Sequence, residues 1–304
     1  MIKDIIEAFS PSGNERKLRE ILKKRLSGVF DQIVEDNMGN LIAKSGDSDG
    51  MCIECGMDSC GVMIVAKEEN RVYFAAVGEI KPEEIAERTI VFENGQTGIV
   101  KLEDEIDLKK AKISDLYIET DAKDLSIVDF GAISAEFSIE EGVYEGWGIK
   151  NKIALAAVCE ALKNIDTVKN LTVLFSAQKR LGGRGLRAFF GATNFRQVIT
   201  VDSCGDDGCV IIAKDAKVPS ERSLLREIEE IAEEGDIAIE KVVSKDDFFL
   251  GTLRAEGVSC GAVGISVICE NGEKQIVNKS DFFDAVHLIA GIIEKQGKSE
   301  REIL

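Results

Sequence analysis

Histidine is nearly absent from this chain of 304 residues, which contains only one, His287. Zinc hydrolases usually recruit two or three imidazoles, and histidine is also the commonest general base near neutral pH. His287 lies in the segment SDFFDAVHLIAGIIEK, whose apolar residues have the period of a helix. We therefore expect it to be a packing or surface residue, and the scarcity of histidine argues against an ordinary zinc hydrolase.

Positive charge and long apolar runs are also scarce. The chain has 38 Lys and Arg against 55 Asp and Glu, a formal net charge of −17. Nucleic acids and anionic membrane surfaces bind to basic faces, so neither is expected as a partner. No apolar run approaches the length that spans a bilayer, and the N-terminal segment lacks the features of a signal peptide. These absences predict a cytoplasmic protein.

The eight cysteines are most simply interpreted as small buried hydrophobic residues, as is usual in a cytoplasmic chain. A substitute metal site is the alternative, formed from the cysteines near two strand ends, Cys52, Cys55, Cys60, Cys204 and Cys209. However, Cys52 and Cys55 lie in one apolar strand, where their side chains point to opposite faces. The knuckle geometry of a zinc site is missing, which favours packing.

The pattern of apolar segments divides the chain into two domains. Residues 63–143 contain short β-type segments separated by turns, which predicts an inserted β-rich domain. In residues 1–62 and 144–304, amphipathic helices alternate with buried strands, which predicts an α/β sheet covered by helices on both faces. Functional groups of such sheets gather at the carboxyl ends of strands, here GMDS (56–59), QKR (178–180) and DSCGDD (202–207).

Those strand ends carry a resemblance to the tetrahedral aminopeptidases, metallopeptidase family forty-two. The similar motifs follow one another in the same order almost end to end: SPSG, DNMGNLIA, MDSCGVMI, VGEIKPEEIAERTIVF, DLYIET, QKRLGGRGL and TVD. Each motif is weak alone, and their shared order makes the assignment specific. The resemblance implies a zinc-exopeptidase-like mixed sheet flanked by helices, an inserted small β-barrel-like dimerisation domain, and self-association into dimers or higher oligomers.

The resemblance also implies a metal site, which this chain does not reproduce. Family members hold two divalent ions, zinc or cobalt, through five ligands, and a glutamate is the general base. On this chain the ligand positions fall on Gly56, Lys150, Arg180, Asp202 and Asn271, and the base position falls on Lys179. Lysine and arginine have no lone pair for a metal, and a unit charge pair about 4 Å apart interacts by about 4 kcal/mol. A divalent ion beside two such cations would face a penalty above about 10 kcal/mol, so we expect no metal cofactor and no catalytic residue.

The charged residues of this cleft admit two interpretations. In the first, the carboxylates of Asp58, Asp202 and Asp247 are neutralised by ion pairs with three basic residues, Lys150, Lys179 and Arg180. In the second, the basic residues bind a small anion such as a carboxylate or a phosphate. The first interpretation is favoured because it requires no ligand.

Other catalytic constellations are weaker. A nucleophile among the residues near the strand ends (Ser59, Cys60, Ser203, Cys204), with Lys150 or Lys179 as its base, would lack a histidine and a G-x-S-x-G elbow. The glycines of LGGRG lack the Lys-Ser/Thr of a P-loop and are better explained as a strand-to-helix turn.

Two hypotheses for the function follow from the sequence. The chain is a non-catalytic family member, which regulates a catalytic paralogue, supports an assembly or binds a small ligand or peptide, or it is an active aminopeptidase or related hydrolase with a divergent site.

Overall fold

The computed structural model describes residues 2–46, 50–163, 165, 168–270 and 274–298. The helices are α1 (Ile2–Ile6), α2 (Arg16–Leu26), α3 (Pro82–Ile85), α4 (Ile153–Lys163), α5 (Arg184–Phe190), α6 (Arg222–Glu234), α7 (Leu250–Ala255) and α8 (Lys279–Lys298). The strands are β1 (Gln32–Glu35), β2 (Leu41–Ser45), β3 (Met51–Gly56), β4 (Gly61–Glu68), β5 (Arg71–Val77), β6 (Thr89–Phe92), β7 (Thr97–Leu102), β8 (Leu116–Glu119), β9 (Phe130–Ile133), β10 (Glu136–Ile139), β11 (Val143–Trp147), β12 (Leu171–Ser176), β13 (Gln197–Cys204), β14 (Cys209–Lys214), β15 (Glu240–Val243), β16 (Ser259–Ser266), β17 (Ile268–Glu270) and β18 (Lys274–Asn278).

The main sheet has eight strands in the order β1-β2-β12-β3-β13-β16-β14-β15. Its four central strands are parallel, and their neighbours β2 and β14 run antiparallel to them. The register pairs Ser176 with Gly56 and Val201 with Cys55. The carboxyl ends of β12, β3 and β13 are therefore level, which brings the loops that follow these strands together.

Both faces of this sheet are covered, because side chains alternate between them along each strand. One core cluster joins the sheet to α4, α6 and α8 and contains Cys55. The other joins it to α5 and α7 and contains Cys52. The predicted opposite orientation of these two cysteines is confirmed, as is the mixed sheet flanked by helices.

A closed barrel of six strands forms a second unit, in the order β4-β5-β8-β7-β6-β9, with its own apolar core. Its strands run from Gly61 to Ile133, so the predicted small barrel is confirmed. The predicted insertion, 63–143, extends past the last barrel strand to include β10. That strand pairs with β11 in a separate four-stranded sheet, β10-β11-β18-β17.

The helices follow their apolar spacing. In α2, the buried residues recur every four positions, at Leu18, Leu22 and Leu26, which gives one face to the core. His287 lies on the exposed face of α8, as expected of a surface residue. No helix in the described part of the chain is long and apolar enough to cross a membrane.

Candidate functional site

A tight turn after β12 positions Lys179 at the carboxyl edge of the sheet. Gln178 adopts a left-handed backbone with φ of 52°, and α5 begins at Arg184. A Cβ on Gly185 would lie 2.3 Å from the carbonyl oxygen of Ala177, so only glycine fits at this position. The interpretation of LGGRG as a strand-to-helix turn is confirmed.

The ammonium of Lys179 is buried between two carboxylates. Its Nζ lies 3.1 Å from Oε2 of Glu54 and 3.0 Å from Oδ2 of Asp202, and the lysine side chain is 1% exposed. Nζ also donates to the hydroxyl of Thr200 at 3.3 Å and lies 5.7 Å from the ring centroid of Phe249. Lys179 therefore joins the ends of three neighbouring strands through one charged group.

The pKa shifts of Lys179 and Asp202 keep both groups charged. Burial opposes the charge of Lys179, but Asp202 and Glu54 raise its pKa above the ordinary lysine value. Burial also opposes ionisation of Asp202, but Lys179 and Arg180 hold the pKa of that carboxyl below its usual range. The pair is an ion pair because each charge offsets the desolvation of the other.

Glu54 is the site residue that sequence reasoning missed. The sequence pattern predicts only that this residue belongs to a short apolar strand. In the structure, its carboxylate is fully buried in β3. It accepts hydrogen bonds from Ser176 Oγ at 2.6 Å and from Thr200 Oγ1 at 2.5 Å, on the two flanking strands. The available signal was the carboxylate itself, since a buried carboxylate requires a cation or hydrogen-bond donors nearby.

Gly56 and Lys179 occupy one space. A Cβ on Gly56 would lie 2.8 Å from Cδ of Lys179 and 3.4 Å from its Cβ. The methylenes of Lys179 therefore fill the region that a side chain at position 56 would enter. Gly56 and Lys179 are therefore packed as a complementary pair.

This packing predicts that Gly56→Ala lowers the free energy of unfolding by about 1–3 kcal/mol, because Lys179 is held by two ion pairs and has little room to move. Chemical denaturation measures the change. Gly205→Ala is the matched control, because a Cβ there meets nothing closer than 3.8 Å. Equal stabilities of the two variants would contradict the close packing.

Arg180 joins Asp58 to the same cluster. Its backbone N–H donates to Oδ2 of Asp58 at 2.8 Å, and its guanidinium donates to Oδ1 of Asp202 at 3.4 Å. Within the described residues, Oδ1 of Asp58 and Nε of Arg180 have no hydrogen-bond partner. Four of the six residues proposed for the cleft are thus brought together: Asp58, Lys179, Arg180 and Asp202.

In the described part of the chain, Lys150 and Asp247 form no ion pair with this cluster. Asp247 pairs with Lys217 at 2.6 Å on the surface. Nζ of Lys150 lies 4.0 Å from Oδ1 of Asp246, and the lysine side chain is 40% exposed. Asn271 lies outside the described residues.

The donor set does not fit two divalent ions. The described part of the chain contains no group of three or more His, Cys, Asp or Glu residues that could hold a metal. The carboxylates of Glu54 and Asp202 already form ion pairs with the ammonium of Lys179. A metal at this position would have to displace the buried ammonium that both carboxylates already bind.

The cysteine and serine alternatives gain no support from the geometry. Burial raises the pKa of Cys204 and Cys209 to about 12, which disfavours thiolates at both positions. Ser203 Oγ donates to the carbonyl of Lys150 at 2.7 Å, and Ser59 Oγ donates to the carbonyl of Ser10 at 3.2 Å. Both hydroxyls thus bond to backbone oxygens rather than to a base.

Solved structures that share this fold include aminopeptidases. The dodecameric PhTET1-12s has a TM-score of 0.86 at 20% identity, covering 96% of this chain and 97% of its own. The TET1 peptidase of Pyrococcus horikoshii, which can assemble into a tetrahedron or a large octahedral shell, has a TM-score of 0.84 at 22% identity, covering 96% and 98%. A protein of Acetivibrio thermocellus named "Putative aminopeptidase" is 25% identical over 323 residues, covering 96% of this chain and 97% of its own.

The sequence itself shows to which family the chain belongs. The family model described as M42 glutamyl aminopeptidase matches residues 39–288, and the chain belongs to that family. The resemblance inferred from the strand-end motifs is thereby confirmed.

Proposed function

We propose that this chain is a non-catalytic member of the M42 family, a pseudo-peptidase that acts as a structural or regulatory subunit. One observation carries the proposal. The Nζ atom of Lys179 lies between Glu54 and Asp202, while the methylenes of the same side chain fill the space beside Gly56. A single lysine thus supplies the positive charge that a metal would supply to these carboxylates, and it offers no Lewis acid and no activated water.

The pairing of opposite charges supports a stable cleft in this proposal. Asp58, Asp202 and Glu54 are opposed by Lys179 and Arg180, and all five have hydrogen bonds or ion pairs within the cluster. Unpaired carboxylates in this number would strongly destabilise a buried site. The arrangement is that of a folded scaffold whose former reaction centre is held together by ion pairs.

Self-association is the role that we propose for this scaffold. Two structural neighbours form large assemblies, a dodecamer and a tetrahedral or octahedral shell. A chain with the same fold would occupy equivalent positions, either with further copies of itself or with a catalytic paralogue. The cytoplasmic location stays a prediction.

The test is metal content together with peptide hydrolysis. We expect the purified protein to contain far less than one equivalent of zinc, cobalt or manganese, and to show no turnover of aminoacyl substrates when these ions are added. An active M42 enzyme assayed in parallel provides the positive control. About two tightly bound equivalents with turnover would overturn the proposal and establish an active hydrolase with a divergent site.

A double variant tests whether the positive charges of Lys179 and Arg180 are what prevents metal binding. Lys179→Glu/Arg180→Glu exchanges two cations for carboxylates beside Asp202, so we expect the metal-free variant to melt below the wild type. We expect zinc to raise the melting temperature of this variant and to leave that of the wild type unchanged, because ligand binding to the folded state stabilises it. An equal response of the two proteins would show that the cations do not exclude the metal.

A further inference from the structure

A cavity of about 110 Å³ lies between α1, the barrel and the segment after β11. It is separate from the Lys179 cluster, which consists of Glu54, Asp58, Lys179, Arg180 and Asp202. Its walls include residues 6–9, 59–60, 132–135 and 151–152. Phe9 and Trp147 provide aromatic surface, and Lys152 provides a cation. The cavity therefore combines a charged end with apolar walls, the usual composition of a small-molecule site.

Lys152 is the unusual member of this cavity. Its side chain is buried, with 3% of the residue exposed. Its Nζ donates to the carbonyl of Ile6 at 3.1 Å and to the carbonyl of Ala8, and both acceptor residues also line the cavity. Among the described residues it has hydrogen bonds to these carbonyls and no ion pair. Buried ammonium groups are normally paired with a carboxylate, so this one lacks its usual partner.

We propose that the cavity binds a small monocarboxylate, whose charge pairs with Lys152 and whose apolar substituent contacts Phe9 and Trp147. A carboxylate would supply the missing negative charge, and an ammonium has three donors, of which the two carbonyls use two. Glu7 also lies on the wall, and its negative charge disfavours anions of higher charge, such as phosphate. The volume suits a ligand of a few heavy atoms, because one water occupies about 30 Å³.

The alternative role of Lys152 is structural. Ile6 ends α1, and the ammonium caps carbonyls at this C-terminus. A capping lysine would contribute to stability whether or not a ligand enters, so binding measurements distinguish the two roles. The site shares no residue with the Lys179 cluster. The outcome of the binding measurements is therefore independent of the outcome of the metal measurements above.

The test compares isobutyrate with its neutral isostere isobutyramide, using calorimetry on the full-length protein at pH 6, below the pKa of about 7 that burial gives Lys152. We expect isobutyrate to bind at least about tenfold more tightly than isobutyramide, because only the carboxylate pairs with Lys152. Lys152→Met should remove this preference, and Lys152→Arg should retain it. Phosphate is a further probe, expected to bind more weakly than isobutyrate.

A second variant keeps the test decisive if Lys152→Met does not fold. Ser134→Leu fills the cavity from the barrel side and leaves Lys152 in place. We expect it to weaken isobutyrate binding by at least about tenfold. Equal binding of isobutyrate and isobutyramide, no binding of either by the wild type, or unchanged binding in Ser134→Leu would each overturn the proposal.

Discussion

Replacing Lys179 with methionine should lower the free energy of unfolding by about 3–5 kcal/mol, the usual cost of removing one partner from a buried ion pair. Methionine has similar length and volume, so the change is mainly one of charge. Glu54, which is fully buried, and Asp202 would lose their shared cation. Chemical denaturation at pH 7 measures the loss.

Two comparison variants isolate the charge effect. Lys101→Met removes an exposed ion pair with Glu87, and it should leave the stability nearly unchanged. Lys179→Met/Glu54→Gln should recover part of the loss, because a neutral amide still bonds to the hydroxyls of Ser176 and Thr200. A loss below about 1 kcal/mol in Lys179→Met would show that the buried pair is not a stabilising unit.

Raising the pH above 7 should stabilise the wild-type protein relative to Lys152→Met. Burial lowers the pKa of Lys152 to about 7, below the ordinary value of about 10.4 that it takes in the unfolded chain. Between these values the unfolded state binds a proton that the folded state does not, so stability increases with pH by about 1.4 kcal/mol per unit. Below pH 7 both states bind the proton, and this lysine contributes no further pH dependence.

The measurement is denaturation of both proteins at pH 7, 8 and 9 without added carboxylate. Glu7 and Cys60 are the other ionisable groups on the cavity wall, and both are present in the variant, so their titration largely cancels in the difference. Parallel stability curves for the two proteins would show that Lys152 keeps an ordinary pKa in the folded state.

The sequence predicted the centre of the candidate site better than its periphery. Asp58 follows β3, Lys179 and Arg180 follow β12, and Asp202 lies near the end of β13. The ends of these strands are level, so strand patterning and the family motifs were enough to bring the four residues together. Lys150 and Asp247 lie in segments outside the strands, where the strand register does not fix a position.

Two features escaped prediction for physical reasons. Glu54 occupies one position in an otherwise apolar strand, and its partners come from strands more than 120 residues away in sequence. The four-stranded sheet depends on the pairing of β11 with β18, for example Tyr144 with Val277. Such long-range pairing leaves no local period in the sequence, whereas the helices and central strands do.

The interlocked packing of Gly56 and Lys179 has a consequence for descent. A histidine placed at position 56 would collide with the methylenes of Lys179, which approach within 2.8 Å of its Cβ. A glutamate placed at position 179 would put a third carboxylate beside Glu54 and Asp202. Each single change therefore gives a less stable protein, so a lineage that carries this pair has no easy one-step route to metal ligands at these two positions.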